Sequence, residues 1–214
     1  MAKLILFQGD SVTDCGRYRG NDPVLPNQGL GSGYPMLVAG RLNADAPAAG
    51  YTVVNRGISG NRVVDLYARW KIDTLNLKPD ILSILIGVND TWHEKGSQNG
   101  VEPERYERIY RELLTWTKTV LPKCKLVLCE PFVLKFGAVA GDWLPEMAER
   151  GKIVRRLASE SRALFIPFQS ILNEAAAKSS PELILQDGVH PRLAGHQIMA
   201  DAWVKAVRAK GWIK

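Results

Sequence analysis

Short, nearly continuous apolar runs recur along this chain, and the segments between them repeat their apolar positions every three or four residues. The runs are Leu4–Phe7, Thr52–Val54, Ile81–Ile86, Lys125–Leu128 and Leu164–Ile166. Each is short, rich in β-branched or aliphatic residues and flanked by Gly, Pro or polar residues, which predicts five buried strands. The intervening periodicity predicts helices over Tyr34–Asn43, Val63–Leu75, Pro103–Val120, Pro145–Ser159 and Leu193–Lys210. In Glu104–Val120 the residues Tyr106, Ile109, Tyr110, Leu113, Leu114, Thr117 and Val120 form one stripe, with Glu and Arg on the other face. Pro103 sits in its first turn and Pro122 just past its end.

Alternation of strand and helix implies a parallel sheet with helices on both faces, because right-handed crossovers return each helix over the sheet. In such α/β sheets, ligands bind beyond the carboxyl ends of the strands. The segments that follow the predicted strands are Gln8-Gly9-Asp10-Ser11, Asn55-Arg56-Gly57-Ile58-Ser59-Gly60, Gly87-Val88-Asn89-Asp90 and Glu130-Pro131-Phe132. Small and polar residues gather there.

Composition narrows the picture further. The chain has 214 residues, 46% of them apolar and 23% charged, and no composition break divides it, so one α/β domain over 1–214 is expected. The net charge of +6 is spread along the chain without a basic run or an aromatic-basic motif, which argues against a nucleic-acid partner. Three cysteines, Cys15, Cys124 and Cys129, make neither a disulfide framework nor a CxxC metal motif. The Leu4–Phe7 run is too short for a secretory leader, and no apolar run has membrane-spanning length. The expectation is a cytoplasmic protein without a membrane partner.

Ser11 stands directly after the first strand in a Gly-Asp-Ser turn. By itself it reads as a turn or cap residue. At the far end of the chain, Asp187-Gly188-Val189-His190-Pro191 puts a carboxylate three residues before an imidazole, in a loop punctuated by Gly and Pro. A carboxylate there can orient the imidazole by accepting its Nδ1–H, although a loop histidine capping the next helix fits the same string. Acyl transfer also needs donors for a developing oxyanion. The N–H of Gly60, where no Cβ blocks approach, and the side-chain amide of Asn89 are candidates.

Four blocks, Gly9-Asp10-Ser11, Asn55 to Gly60, Gly87-Val88-Asn89-Asp90 and Asp187 to Pro191, fall in one order across nearly the whole chain, and in this the sequence resembles the SGNH (GDSL-type) hydrolases. The resemblance implies a flavodoxin-like three-layer α/β/α sandwich with a five-stranded parallel sheet. It implies Ser11 as nucleophile, His190 as base and Asp187 as its orienting carboxylate, with the Ser11 N–H, the Gly60 N–H and the Asn89 amide forming an oxyanion hole. No metal or organic cofactor is implied. Val12 replaces the Leu of the GDSL label.

A narrower likeness rests on Thr13-Asp14-Cys15-Gly16-Arg17, Gly57-Ile58-Ser59-Gly60-Asn61, Ala68-Arg69-Trp70, Asn89-Asp90-Thr91-Trp92 and Ala194-Gly195-His196. These strings are similar to bacterial intracellular acetylxylan esterases and related carbohydrate O-deacetylases. That likeness implies a serine esterase acting on small acetylated sugars, and multimers are common among such enzymes. Gly188 stands where some of them carry Arg. Asp10, Trp92, Phe132 and Trp143 are the candidate substrate contacts.

Other chemistry fits poorly. His93-Glu94 opens like a zincin motif, but Ser97 stands where its second histidine belongs. His196 reads as a packing residue on the last helix, Trp70 as core or a subunit contact, and Cys15 as an ordinary free thiol. The stretch from Gly29 to Gly33 meets neither phosphate-loop pattern. Two rival functions keep the same fold: a lysophospholipase or thioesterase for long acyl chains, and a glycan-binding protein without turnover.

Overall fold

The computed structural model describes residues 3–20 and 27–214. Five strands, β1 (Leu4–Gly9), β2 (Thr52–Asn55), β3 (Ile81–Leu85), β4 (Lys125–Cys129) and β5 (Leu164–Ile166), form one sheet in the order β2-β1-β3-β4-β5. Every pairing is parallel, with Ile5 opposite Val53 on one side and Ile81 on the other. This is the doubly wound order of a flavodoxin-like sandwich, as expected, and its topological switch point lies between β1 and β3.

Side-chain alternation along the strands divides the core in two. Ile5 and Phe7 of β1, Ile81 and Leu85 of β3, and Val127 and Cys129 of β4 pack on one face; Leu6, Leu82, Ile84, Leu126 and Leu128 pack on the other. The first face is covered by α2 (Tyr34–Asp45), α7 (Phe168–Lys178) and α9 (Leu193–Ala209), and the second by α3 (Val63–Asp73), α5 (Pro103–Val120) and α6 (Trp143–Glu160). Strands buried on both faces must be apolar throughout, which is why they read as runs rather than alternations. Gln8, Asn55 and Ser83 are buried polar exceptions, and the Ser83 hydroxyl in β3 accepts the indole N–H of Trp203 from α9 at 3.0 Å. Trp70 is fully buried in α3 and donates to Thr117 Oγ1 at 2.9 Å, so it belongs to the core and not to a subunit contact.

Four helices of the described residues go beyond the sequence reading: α1 (Ser11–Asp14), α4 (Val88–Ser97), α7 and α8 (Pro181–Ile184). In α7 the stripe is thin, with only Phe168, Leu172 and Ala176 fully turned inward. Of these, α1 and α4 matter most for function, because they start directly beyond the ends of β1 and β3.

Candidate active site

The carboxyl edge of β1 delivers Ser11. Asp10 ends the strand and caps α1, its Oδ1 accepting the Val12 N–H at 3.0 Å, so the chain turns sharply and Ser11 becomes the first helical residue. A first-turn N–H has no partner inside its helix. Gly9 permits the turn: a Cβ there would lie 2.4 Å from both the Leu85 carbonyl and Thr13 Oγ1.

The Ser11 hydroxyl meets His190. Its Oγ lies 2.8 Å from Nε2, and on the other side of the ring Nδ1 lies 2.7 Å from Asp187 Oδ2. With the ring proton on Nδ1 facing the carboxylate, Nε2 is left to accept the hydroxyl proton. Asp187 is held by more than the imidazole: its Oδ1 accepts the N–H groups of Val189 at 3.0 Å and His190 at 2.8 Å. Burial works against ionisation of Asp187, but the His190 N–H, the imidazole and the Val189 N–H outweigh it and hold the carboxyl below its ordinary range. The carboxylate is therefore charged at neutral pH and fixes the ring.

The loop that carries this pair is clamped from β4. Gln186 N–H donates to the His190 carbonyl at 2.7 Å, closing a short bridge between Leu185 and Pro191. Leu134 N–H donates to the Gly188 carbonyl and Ala138 N–H to the Asp187 carbonyl, both at 2.8 Å. Gly188 has φ +92, and a Cβ on it would lie 2.4 Å from the Phe136 carbonyl and 2.6 Å from that of Leu134. Glycine is thus required by the close approach of the loop after β4. The clamp escaped the sequence reading; its signals are the glycines Gly137 and Gly188, both in left-handed backbone.

Two further donors face the same edge. Gly60, in the loop between β2 and α3, has φ +83, and a Cβ there would meet nothing within 4 Å, so the backbone is open to an approaching group. Asn89 is 6% exposed at the start of α4, where Gly87 with φ +136 lets the chain leave β3. Its Nδ2 donates to the Asn61 carbonyl at 3.1 Å, which orients the amide and leaves its second N–H for another acceptor.

The expected substrate contacts divide. Trp92 is half-buried, one helical turn on from Asn89, and its ring centroid lies 5.7 Å from that of His190 at 51°. Trp143 packs edge-on against it at 5.4 Å and is 4% exposed, so it backs Trp92 and offers no open face. Phe132, 3% exposed, packs edge-on against Phe168 in the core. Asp10, 1% exposed, is occupied by its cap. Asp10, Phe132 and Trp143 thus spend most of their surface on capping and packing, and of the four Trp92 alone keeps a partly exposed face.

Cys15 is a free thiol, as the sequence suggests. It follows α1 at φ 40, partly exposed, with Sγ 3.4 Å from His196 Nε2, a neighbour distant in sequence. His196 is buried and accepts the first N–H of α2, from Tyr34, on Nδ1 at 3.2 Å. Burial, with a smaller effect of His190, pushes its pKa down to about 4, so it stays neutral.

Fold and site geometry together are those of an α/β ester hydrolase. A family model described as GDSL-like lipase/acylhydrolase matches residues 7–198, and the chain belongs to that family. It is 37% identical over 214 residues to an acetylxylan esterase of Geobacillus stearothermophilus, covering 98% of this chain and 95% of the relative. The structure of that organism's acetylxylan esterase superposes with a TM-score of 0.85 at 36% identity, covering 99% of this chain and 96% of the other. A GDSL-like protein of Parabacteroides merdae superposes with a TM-score of 0.92 at 44% identity, covering 96% and 95%. Structures of catalytic mutants of the Geobacillus esterase carry alanine in place of a serine, an aspartate or a histidine. No helix of the described residues is long and apolar enough to cross a membrane.

Proposed function

We propose that this protein is a serine esterase that removes O-acetyl groups from acetylated xylo-oligosaccharides or related sugars through an acetyl-enzyme intermediate. The observation that carries the reading is the continuous line from Ser11 Oγ through the His190 ring to Asp187, 2.8 Å and 2.7 Å long at its two joints. It matches in residue types the serine, histidine and aspartate replaced in the relative's catalytic mutants.

In the first step His190 Nε2 takes the hydroxyl proton as Ser11 Oγ bonds to the acetyl carbonyl carbon. The negative charge moves to the carbonyl oxygen, which the N–H groups of Ser11 and Gly60 and the Asn89 amide receive. Collapse breaks the bond to the sugar oxygen, and His190 returns the proton to it. Water then bonds to the acetyl carbon as His190 takes its proton, and collapse of the adduct breaks the bond to Ser11 Oγ, which regains that proton from His190 as acetate leaves. Asp187 stays ionised and stabilises the imidazolium in both halves.

Trp92, beside His190 and on the Asn89 face of α4, is the side chain that borders the acyl or sugar group in this reading. The reading extends to a cytoplasmic homo-oligomer without metal, cofactor or nucleic-acid partner, whose assembly light scattering would measure. The activity itself is tested by acetate release from acetylated xylose and xylo-oligosaccharides. Wild type should release acetate and Ser11→Ala should not, while retaining its circular dichroism; equal release by the two would overturn the assignment.

A further inference from the structure

Asp90 is fully buried at the start of α4, next in sequence to Asn89. Its carboxyl does not face the cleft. Oδ1 and Oδ2 lie 3.0 and 3.3 Å from the backbone nitrogen of Val63, the first residue of α3, and accept its N–H. The residues just before Val63 are Asn61 and Arg62, and just before those stands Gly60. Adjacent side chains of α4 therefore grip the Gly60 turn from two directions: Asn89 donates to the Asn61 carbonyl and Asp90 accepts from Val63.

The grip is rigid in its own right. Arg150, also fully buried, donates to Thr91 Oγ1 at 2.9 Å and to the Val101 carbonyl at 2.6 Å, while Val101 N–H donates to the Asp90 carbonyl at 3.0 Å. The start of α4 is thus tied to α6 and to the residues preceding α5. Placing a carboxyl in such a site is costly unless it holds a hydrogen bond, and a helix-end N–H needs a partner as much. A structural cap alone could come from a residue next to the helix; here the cap comes from the neighbour of an oxyanion donor.

We infer that Asp90 is a positioning residue, which holds the Gly60 N–H in register with the Asn89 amide so that donors from two different strand ends act on one oxygen. The inference rests on the oxyanion reading of Gly60 and Asn89 given above. It has a mirror in Asp10, the buried cap that places Ser11.

The test uses two variants that break the same bond from opposite ends. Asp90→Ala removes the acceptor. Val63→Pro removes the donor at a position where proline suits a helix, and Arg62 before it is already extended with ψ 175, as a residue preceding proline must be. Both should fold, keep KM for 4-nitrophenyl acetate within about threefold, and lose about 10²-fold in kcat. Affinity for a small boronic acid, which forms a tetrahedral adduct with the serine, should fall in parallel, and Asp90→Asn, which retains an acceptor oxygen, should recover most of the activity. If both broken-bond variants melt earlier yet keep kcat and boronic-acid affinity within threefold of wild type, Asp90 is only structural and the inference is wrong. If one variant fails to fold, the other decides on the same readouts. Asn89→Ala is the control: should it leave kcat unchanged, the oxyanion reading itself fails, which is a separate outcome.

Discussion

Ser11 Oγ and His190 Nε2 lie 2.8 Å apart although the residues are separated by 179 positions in sequence. The distance is set by backbone at both ends: the Asp10 cap on α1 fixes the serine, and the Leu134 and Ala138 clamp fixes the histidine loop. Neither side chain is placed by its own packing alone, so the alignment exists before any substrate arrives.

Asp187→Asn tests how much of this alignment is electrostatic. The amide keeps the size of the carboxylate but removes its charge and favours the ring tautomer with the proton on Nε2, which cannot accept from Ser11. We expect kcat for 4-nitrophenyl acetate to fall by about 10³-fold or more, with KM little changed. Steady-state kinetics on the two proteins would show it; a fall under tenfold would mean that Asp187 does not set the tautomer.

The five strands and the order of the site blocks were legible in the chain because a sheet buried on both faces demands apolar runs, and because small polar residues stood at four strand ends in turn. Helix α5, from Pro103 to Val120, begins and ends where its prolines place it. Less legible was α4: its polar residues Asn89, Asp90 and Thr91 are buried and hydrogen-bonded, so the apolar period that announces a helix is missing there. For Phe132 and Trp143 the degree of burial was not legible in the sequence. Proximity in sequence to a site loop put them near the cleft, but large aromatic surface is most stable in the core, and both are packed away from solvent. The link of Cys15 to His196 was invisible because it depends on how α9 meets α1 in space.

Gly188→Ala should be costly despite adding one methyl group. The position combines φ +92 with carbonyl oxygens 2.4 and 2.6 Å from where the Cβ would stand, so the loop must move or the backbone must change. We expect a loss of about 2–4 kcal/mol in chemical denaturation. Because the same loop carries Asp187 and His190, kcat should fall as well at temperatures where the variant is folded. An Ala variant with unchanged stability would show that the clamp from β4 is dispensable.

Stability should respond to pH with a sign set by the buried carboxyls. Burial lifts Asp10 and Asp90 to about 7, with further contributions from each other's surroundings: Asp90 and Asp14 raise Asp10, whereas Arg150 and Arg62 pull Asp90 down. In the unfolded chain the same groups titrate near about 4. Between these values the folded protein binds more protons, so this part of its stability is complete below about pH 4 and is lost as pH rises through about 7. Asp187, Asp14 and Asp65 act in the opposite sense: bonds to N–H groups, Ser59 and Arg side chains outweigh burial and lower them, so their stabilisation is present above the ordinary carboxylate range and lost in acid. Thermal melts should peak in mildly acidic buffer and decline toward pH 8. In Asp90→Asn the decline on the alkaline side should flatten; a wild-type Tm that rises steadily from pH 5 to 8 would contradict the assignment.

Acyl-chain preference is where Trp92 is decisive. Asn89 and Trp92 stand three residues apart on α4 and so share a face, and the indole lies against the His190 ring with Trp143 wedged behind it. An acyl group whose oxygen reaches the Asn89 amide while its carbon meets Ser11 runs close to this indole pair, which cannot retreat into a packed core. Wild type should therefore cleave 4-nitrophenyl acetate faster than the butyrate and much faster than the decanoate. Trp92→Ala opens the wall without removing any proposed catalytic group, and we expect the acetate-to-decanoate ratio of kcat/KM to narrow by about tenfold, since each methylene admitted to apolar surface is worth about 0.8 kcal/mol. If wild type prefers decanoate, the deacetylase reading gives way to a long-chain acyl hydrolase. If it prefers acetate and Trp92→Ala leaves the ratio unchanged, the acyl group lies elsewhere and the indole serves the sugar or the packing of His190.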